Sequence, residues 1–128
     1  MMCLNVNGSL VNKLECPEFT ECMGENDIVL LSETWTNEKH DLGVNEFAEP
    51  LCKHRIRKKN AKRDSGGLVC YFKKYLFDGV SEIKWEFEDG VCIRLDRYFF
   101  WLGKGYVYYF HLHEARFFSK RRFRCRCR

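Results

Sequence analysis

Two segments place polar side chains directly after apolar runs, and these side chains could do chemistry. Asn5 and Asn7 follow the apolar start of MMCLNVN, and Glu33 follows the unbroken apolar run 28–31 in DIVLLSETW. Such a run predicts a buried strand. If the two strands are neighbours, Asn5 or Asn7 and Glu33 emerge at one sheet edge. A carboxylate facing an amide suits magnesium, although an acid that ends a strand is more often simply solvated.

The positive charges could contact a polyanion, because they are unevenly placed. The net charge is +4, yet residues 116–128 hold seven bases and no acid, which leaves 15 bases against 18 acids in the rest. A second block without acids, 53–63, interrupts the acidic body. Its bases are Lys53, Arg55, Arg57, Lys58, Lys59, Lys62 and Arg63. Such blocks attract nucleic acid, and a solvated loop is the alternative interpretation.

The eight cysteines predict reduced, mostly buried thiols, because most lie singly in apolar runs without a secretory signal. Cys125 and Cys127 form the one close pair, which is a weak zinc signal. His111 and His113, followed by Glu114, would share a strand face and could chelate zinc. With no further ligand nearby, coincidence is the favoured interpretation.

The remaining pattern predicts the elements that position these residues. Residues 9–23 show nearly helical apolar spacing, and Pro17 must start or interrupt a helix there. Extended segments follow at 67–72, 80–87, 91–95 and 105–110. This order predicts class α+β, with packed sheets around one core.

The sequence shows no sign of export or of a membrane segment. The start, MMCLNVNGS, lacks a basic region followed by an apolar stretch, and no segment approaches eighteen uncharged apolar residues. We expect an intracellular chain without membrane contact. Its oligomeric state is left open.

Three segments resemble landmarks of a known family. LNVNG at 4–8, DIVLLSETW at 27–35 and SGGLVCYFKK at 65–74 are similar in content, order and spacing to the endonuclease/exonuclease/phosphatase superfamily. The resemblance is strongest to endonuclease domains of non-LTR retrotransposons of the long interspersed element type. It implies the N-terminal half of a two-sheet αββα sandwich, with mixed and mostly antiparallel strands.

The resemblance implies hydrolysis of a DNA phosphodiester by a metal-activated water. In that family the asparagine of the first motif and the glutamate of the second help hold catalytic Mg²⁺ (or Mn²⁺). By position, these catalytic residues are Asn5 and Glu33, and Asn7 joins Glu33 as a metal ligand. The basic loop 53–63 would contact the DNA backbone. A functional protein of this kind would be nuclear.

The chain departs from the family pattern after about residue 110. The second half of the family domain carries a Gly-Asp-Phe-Asn-like and a Ser-Asp-His-like motif, and neither occurs here. Those segments should supply the general base and further metal ligands, so we expect little or no cleavage by this chain alone.

The predicted organisation is therefore a partial domain over 1–110 and a basic, disordered or aberrant tail over 111–128. The tail composition resembles an out-of-frame translation or an alternative terminal exon. The alternative function is that of a non-catalytic, retroelement-derived fragment with weak, sequence-independent nucleic-acid binding.

Overall fold

The computed structural model describes residues 1–55, 66–82, 90–95 and 106–111, which form helices and strands as the α+β prediction requires. The elements in chain order are β1 (Met2–Asn5), α1 (Leu10–Leu14), α2 (Pro17–Gly24), β2 (Ile28–Ser32), β3 (Leu51–Lys53), β4 (Leu68–Phe72), a 3-10 helix (Lys74–Gly79), β5 (Val80–Glu82), β6 (Gly90–Leu95) and β7 (Tyr106–His111). No helix in these ranges has the length and hydrophobicity needed to cross a membrane.

The first sheet has four strands in the order β1-β2-β4-β3. β1 and β2 are parallel, and β4 is antiparallel to both β2 and β3. Consequently β1, β2 and β3 all end at the same end of the sheet, where β4 begins. This end of the strands is here called the exit edge. The second sheet, β5-β6-β7, is antiparallel. As predicted, the described strands are mixed and mostly antiparallel.

The first sheet packs on both faces because side chains alternate along β2 and β4. Their even-numbered residues pack with Val91 and Ile93 of β6, so one hydrophobic cluster lies between the sheets. Their odd-numbered residues pack with Leu10 of α1 and Met23 of α2. The described residues therefore form three layers: helices, four-stranded sheet and three-stranded sheet.

Pro17 separates the two helices as its chemistry predicts. α1 ends at Leu14, and Pro17 is the first residue of α2, where its missing N–H has no intrahelical partner to lose. The prediction that Pro17 starts or interrupts a helix within 9–23 is confirmed.

Two elements were not predicted. β3 has only three residues, which follow Pro50 and end at Lys53, the first residue of the basic block. It is a strand because it pairs with β4. The 3-10 helix follows β4 and buries Leu76 while Tyr75 and Phe77 stay exposed. Residues 83–87 of the predicted strand 80–87 lie outside the described ranges.

Candidate metal site at the exit edge

The residues predicted to bind metal lie on neighbouring strand ends. Asn5 pairs with Ser32, the residue before Glu33. The pairing continues beyond the strands, because the Val6 N–H donates to the Ser32 carbonyl at 2.9 Å and the Gly8 N–H to the Glu33 carbonyl at 2.6 Å. Two hydrogen-bonded segments thus bring Asn5, Asn7 and Glu33 to the exit edge.

The loops of the exit edge contain every left-handed residue in the described part of the chain. Their φ angles run from 49° to 94°. The residues are Asn7, Gly8, Ser9, Glu33, Trp35, Gly66 and Gly67. A left-handed backbone costs a non-glycine residue about 1–2 kcal/mol, and strained residues concentrate at functional sites. Four residues with side chains are held in an unfavourable conformation here.

The Glu33 carboxylate is half-buried and oriented by two donors. Its Oε2 accepts from the Gly66 N–H at 2.9 Å and from the Trp35 Nε1–H at 3.3 Å. Among the described residues, no donor reaches Oε1. Oε2 therefore fixes the orientation of the carboxylate, and Oε1 has no hydrogen-bond partner in the described part of the chain.

Asn5 and Asn7 form a turn of their own. Asn5 is exposed, and its Oδ1 accepts from the Asn7 N–H at 2.9 Å. The Lys13 ammonium donates to the carbonyls of Val6 and Gly8, the latter at 2.9 Å. The turn that carries the amides is therefore fixed from both sides, and the remaining lone pair of Asn5 Oδ1 is free for a further contact.

Two glycines of the exit edge allow close approaches that no other residue permits. A Cβ at Gly8 would lie 2.1–2.5 Å from ring atoms of Trp35. A Cβ at Gly67 would lie 2.5 Å from Thr34 Oγ1. The loops that follow β1 and β2 and precede β4 are thus packed directly on one another.

A row of hydrogen-bonded polar side chains beside Glu33 was not predicted from the sequence. Thr34 Oγ1 lies 3.1 Å from Thr36 Oγ1, and both residues are buried. His54 Nδ1 lies 3.4 Å from Thr36 Oγ1 and 3.1 Å from the Thr36 carbonyl oxygen. The Ser-Glu-Thr-Trp motif contained the first of these residues, but no local signal connects it with His54.

Two of the predicted DNA-contacting bases are described, and both lie at the exit edge. Lys53 ends β3 and pairs with Glu82 of the second sheet at 3.4 Å. Arg55 is exposed, and its Cδ would lie 2.8 Å from a Cβ at Gly66, so its side chain covers that glycine.

The other predicted bases, Arg57, Lys58, Lys59, Lys62 and Arg63, lie outside the described residues. So do His113, Glu114, Cys125, Cys127 and the basic tail.

The donor set at the exit edge fits a hydrated hard cation. It offers one free carboxylate oxygen of Glu33 and amide oxygens of Asn5 and Asn7, which are ligand types of Mg²⁺. Within the described ranges, no group of three or more His, Cys, Asp or Glu is placed to hold a metal. A cation held by these three side chains alone would have to keep several of its waters, as Mg²⁺ does.

The five cysteines whose side chains are described are free thiols, but the prediction that the cysteines are mostly buried is wrong for two of these five. Cys16 and Cys22 are exposed, Cys3 and Cys52 are half-buried, and Cys70 is fully buried. Burial raises the pKa of Cys52 to about 11 and that of Cys70 to about 12. These two thiols therefore stay protonated at neutral pH and are poor nucleophiles.

Comparison with known proteins adds no relative. No protein-family model, curated protein or solved structure matches the chain. The function is therefore inferred from the residues of the exit edge and from their chemistry.

Proposed function

We propose that this chain is part of a divalent-cation-dependent phosphodiesterase of the endonuclease/exonuclease/phosphatase type, acting on the DNA backbone. One observation carries the proposal: the Glu33 carboxylate is held at the exit edge beside the end of β1, with Oε2 fixed by two donors and Oε1 without a donor among the described residues.

Asn5, Asn7 and Glu33 would hold Mg²⁺ (or Mn²⁺). When bound, the cation would stabilise charge on the phosphoryl oxygens and activate a water. Glu33 supplies the negative charge, and Asn5 supplies a neutral oxygen oriented by its own turn. Arg55 lies against the Gly66 that donates to Glu33, and its guanidinium would contact a phosphate oxygen near the cation.

The layered architecture supports the same proposal. The described residues place helices on one face of a four-stranded sheet and a second sheet on its other face. This arrangement agrees with one half of an αββα sandwich. We propose that the chain adopts that fold.

The groups expected from the second half of such a domain are absent from the sequence, which contains neither of its two motifs. Loss of a general base alone costs about two to four orders of magnitude in rate. We therefore expect cation binding by this chain without efficient cleavage.

The test separates binding from cleavage. In an EPR titration of Mn²⁺ with the full chain, we expect saturable binding that Glu33→Gln weakens at least about tenfold. The control is Glu25→Gln, which neutralises an exposed acid next to α2 and should leave the affinity unchanged. Equal affinity in wild type and Glu33→Gln would contradict the proposed site.

Plasmid nicking with Mg²⁺ is the second arm, and we expect it to be absent or very weak. Nicking at a rate typical of an efficient nuclease, abolished by Glu33→Gln, would confirm the chemistry. It would also show that the tail or a second copy supplies the missing groups.

Non-catalytic binding of nucleic acid is the second candidate, and the exposure of Lys53 and Arg55 at one edge favours it. Affinity for a DNA duplex should fall steeply with salt because binding releases counterions. Lys53→Gln with Arg55→Gln should reduce the salt slope by about 2. A control pair, Lys39→Gln with Lys74→Gln, removes exposed charges elsewhere. Affinity that ignores ionic strength would contradict this candidate.

A further inference from the structure

Behind Glu33 lies a pair of hydroxyl groups that neither a cation nor DNA would touch. Thr34 is 0% exposed and Thr36 is 7% exposed, and their Oγ1 atoms lie 3.1 Å apart. Thr34 stands between Glu33 and Trp35, which both have left-handed backbones with φ of 54° and 51°. The buried Thr34 side chain therefore lies between two residues with left-handed backbones.

His54 connects this pair to β3. Its Nδ1 lies 3.1 Å from the Thr36 carbonyl oxygen, which can only accept, so Nδ1 carries a proton. The same nitrogen lies 3.4 Å from Thr36 Oγ1. Since His54 directly follows β3, these contacts join the end of β3 to the loop after β2, across the start of β4.

The backbone of Thr34 and Trp35 is bonded to the two glycines that precede β4. The Thr34 N–H donates to the Gly67 carbonyl at 3.5 Å, and the Trp35 N–H donates to the Gly66 carbonyl at 3.0 Å. In the other direction, the Gly66 N–H donates a hydrogen bond to Glu33 Oε2 at 2.9 Å. Three hydrogen bonds thus join the segment 33–35 to Gly66 and Gly67, and one of them ends on the Glu33 carboxylate.

We propose that Thr34, Thr36 and His54 are positioning residues that hold Glu33 with Oε1 directed to the cation. This inference rests on the proposed function. A strained conformation persists only where the surroundings enforce it, and the contacts of these three residues enclose the segment from both sides. Partners behind a metal ligand typically contribute about 10–100-fold to metal affinity.

The test compares isosteric variants by two readouts, Mn²⁺ affinity by EPR and the proton shift of the Gly66 amide by NMR. Thr34→Val keeps the shape and removes the hydroxyl. We expect about a tenfold loss of Mn²⁺ affinity, together with an upfield shift of the Gly66 amide as its bond to Glu33 lengthens. Thr34→Ser restores the hydroxyl and should retain both properties.

His54 provides an independent pair if Thr34→Val does not fold. His54→Ala should reduce Mn²⁺ affinity, whereas His54→Asn places an amide N–H where Nδ1 stands and should preserve it. Tyr71→Phe is the matched control, since it removes a buried hydroxyl that donates to the Leu42 carbonyl at 2.9 Å, away from Glu33. It should lower stability without changing Mn²⁺ affinity.

The outcomes separate this inference from the proposed function. If Glu33→Gln weakens Mn²⁺ binding but Thr34→Val and His54→Ala do not, the three residues are only structural and the inference is wrong. If Glu33→Gln itself has no effect, the metal site is wrong, and the inference fails with it.

Discussion

The two ends of the four-stranded sheet are built differently. At the exit edge, seven residues with left-handed backbones pack loop against loop. At the opposite end α2 leads into β2, β4 runs into the 3-10 helix, and no described residue has a positive φ. The polar contacts there lie at the surface, between Lys73 and Glu46 and between Tyr75 and Asp27.

Both ends rest on the same strands and the same two hydrophobic clusters. Core packing therefore does not require strained loops, because the opposite end terminates these strands without them. We infer that the strain at the exit edge is maintained because it orients Glu33. The comparison predicts that equivalent substitutions at the two ends have different effects on folding.

The largest difference is expected between two glycine substitutions. Gly8→Ala should lower the free energy of unfolding by more than ~2 kcal/mol, because its Cβ would overlap the Trp35 ring at a φ of 85°. Gly24→Ala should change it by less than ~1 kcal/mol, since its Cβ meets only the exposed Glu46 carboxylate at 3.2 Å. Urea denaturation measures the free energy of unfolding of both variants. Equal losses in Gly8→Ala and Gly24→Ala would contradict the expected difference between the two ends.

Alkaline pH should weaken both ends together, because it acts on the shared core. Burial raises the pKa of Cys70 from 9.0 to about 12, so the folded chain keeps a proton that the unfolded chain loses above pH 9. Stability is therefore constant below pH 9 on this account and falls above it, by up to ~1.4 kcal/mol per pH unit from this thiol. Denaturation at pH 8–11 should show this slope, and Cys70→Ala should reduce it but not abolish it, because burial also raises the pKa of Cys52.

A stabilising substitution is expected at the exit edge. Ser9 is exposed, has a φ of 53° and makes no side-chain cap hydrogen bond, so Ser9→Gly should raise the free energy of unfolding by up to ~1 kcal/mol. Asn12→Gly, on the exposed face of α1, should lower it by about 0.3 kcal/mol. Effects of the same sign would show that the Ser9 conformation is not strained.

The smallest effect is expected at the opposite end. Tyr75→Phe removes an exposed hydrogen bond to Asp27 and should cost no more than ~0.5 kcal/mol. A thermal melt compares it with the wild type. A loss of stability as large as that of Gly8→Ala would show that the opposite end also contains a contact on which folding depends.

The sequence predicted β1, β2 and β4 of the four-stranded sheet because their signals are local. The apolar run 28–31 marks β2, and the segment 67–72 marks β4, since both are buried on both faces. The common edge of Asn5 and Glu33 follows from their places after two strands. β3 carries no such signal, because three residues become a strand only through pairing with β4.

The support of Glu33 could not be predicted, because it comes from distant parts of the chain. Thr36 contacts His54 over 18 residues, and Glu33 accepts from Gly66 over 33 residues. Ser9, Glu33 and Trp35 are not residue types that mark left-handed backbone, so their conformation depends on packing.

The most direct test of the exit edge as a metal site is paramagnetic NMR with Mn²⁺ added to the ¹⁵N-labelled chain. If the exit edge binds Mn²⁺, the amide resonances of Asn7, Gly8, Glu33 and Gly66 should broaden selectively. This broadening should be lost in Glu33→Gln, and the resonance of Asp27 at the opposite end should stay sharp. Broadening centred on the opposite end, or unchanged in Glu33→Gln, would contradict the proposed metal site.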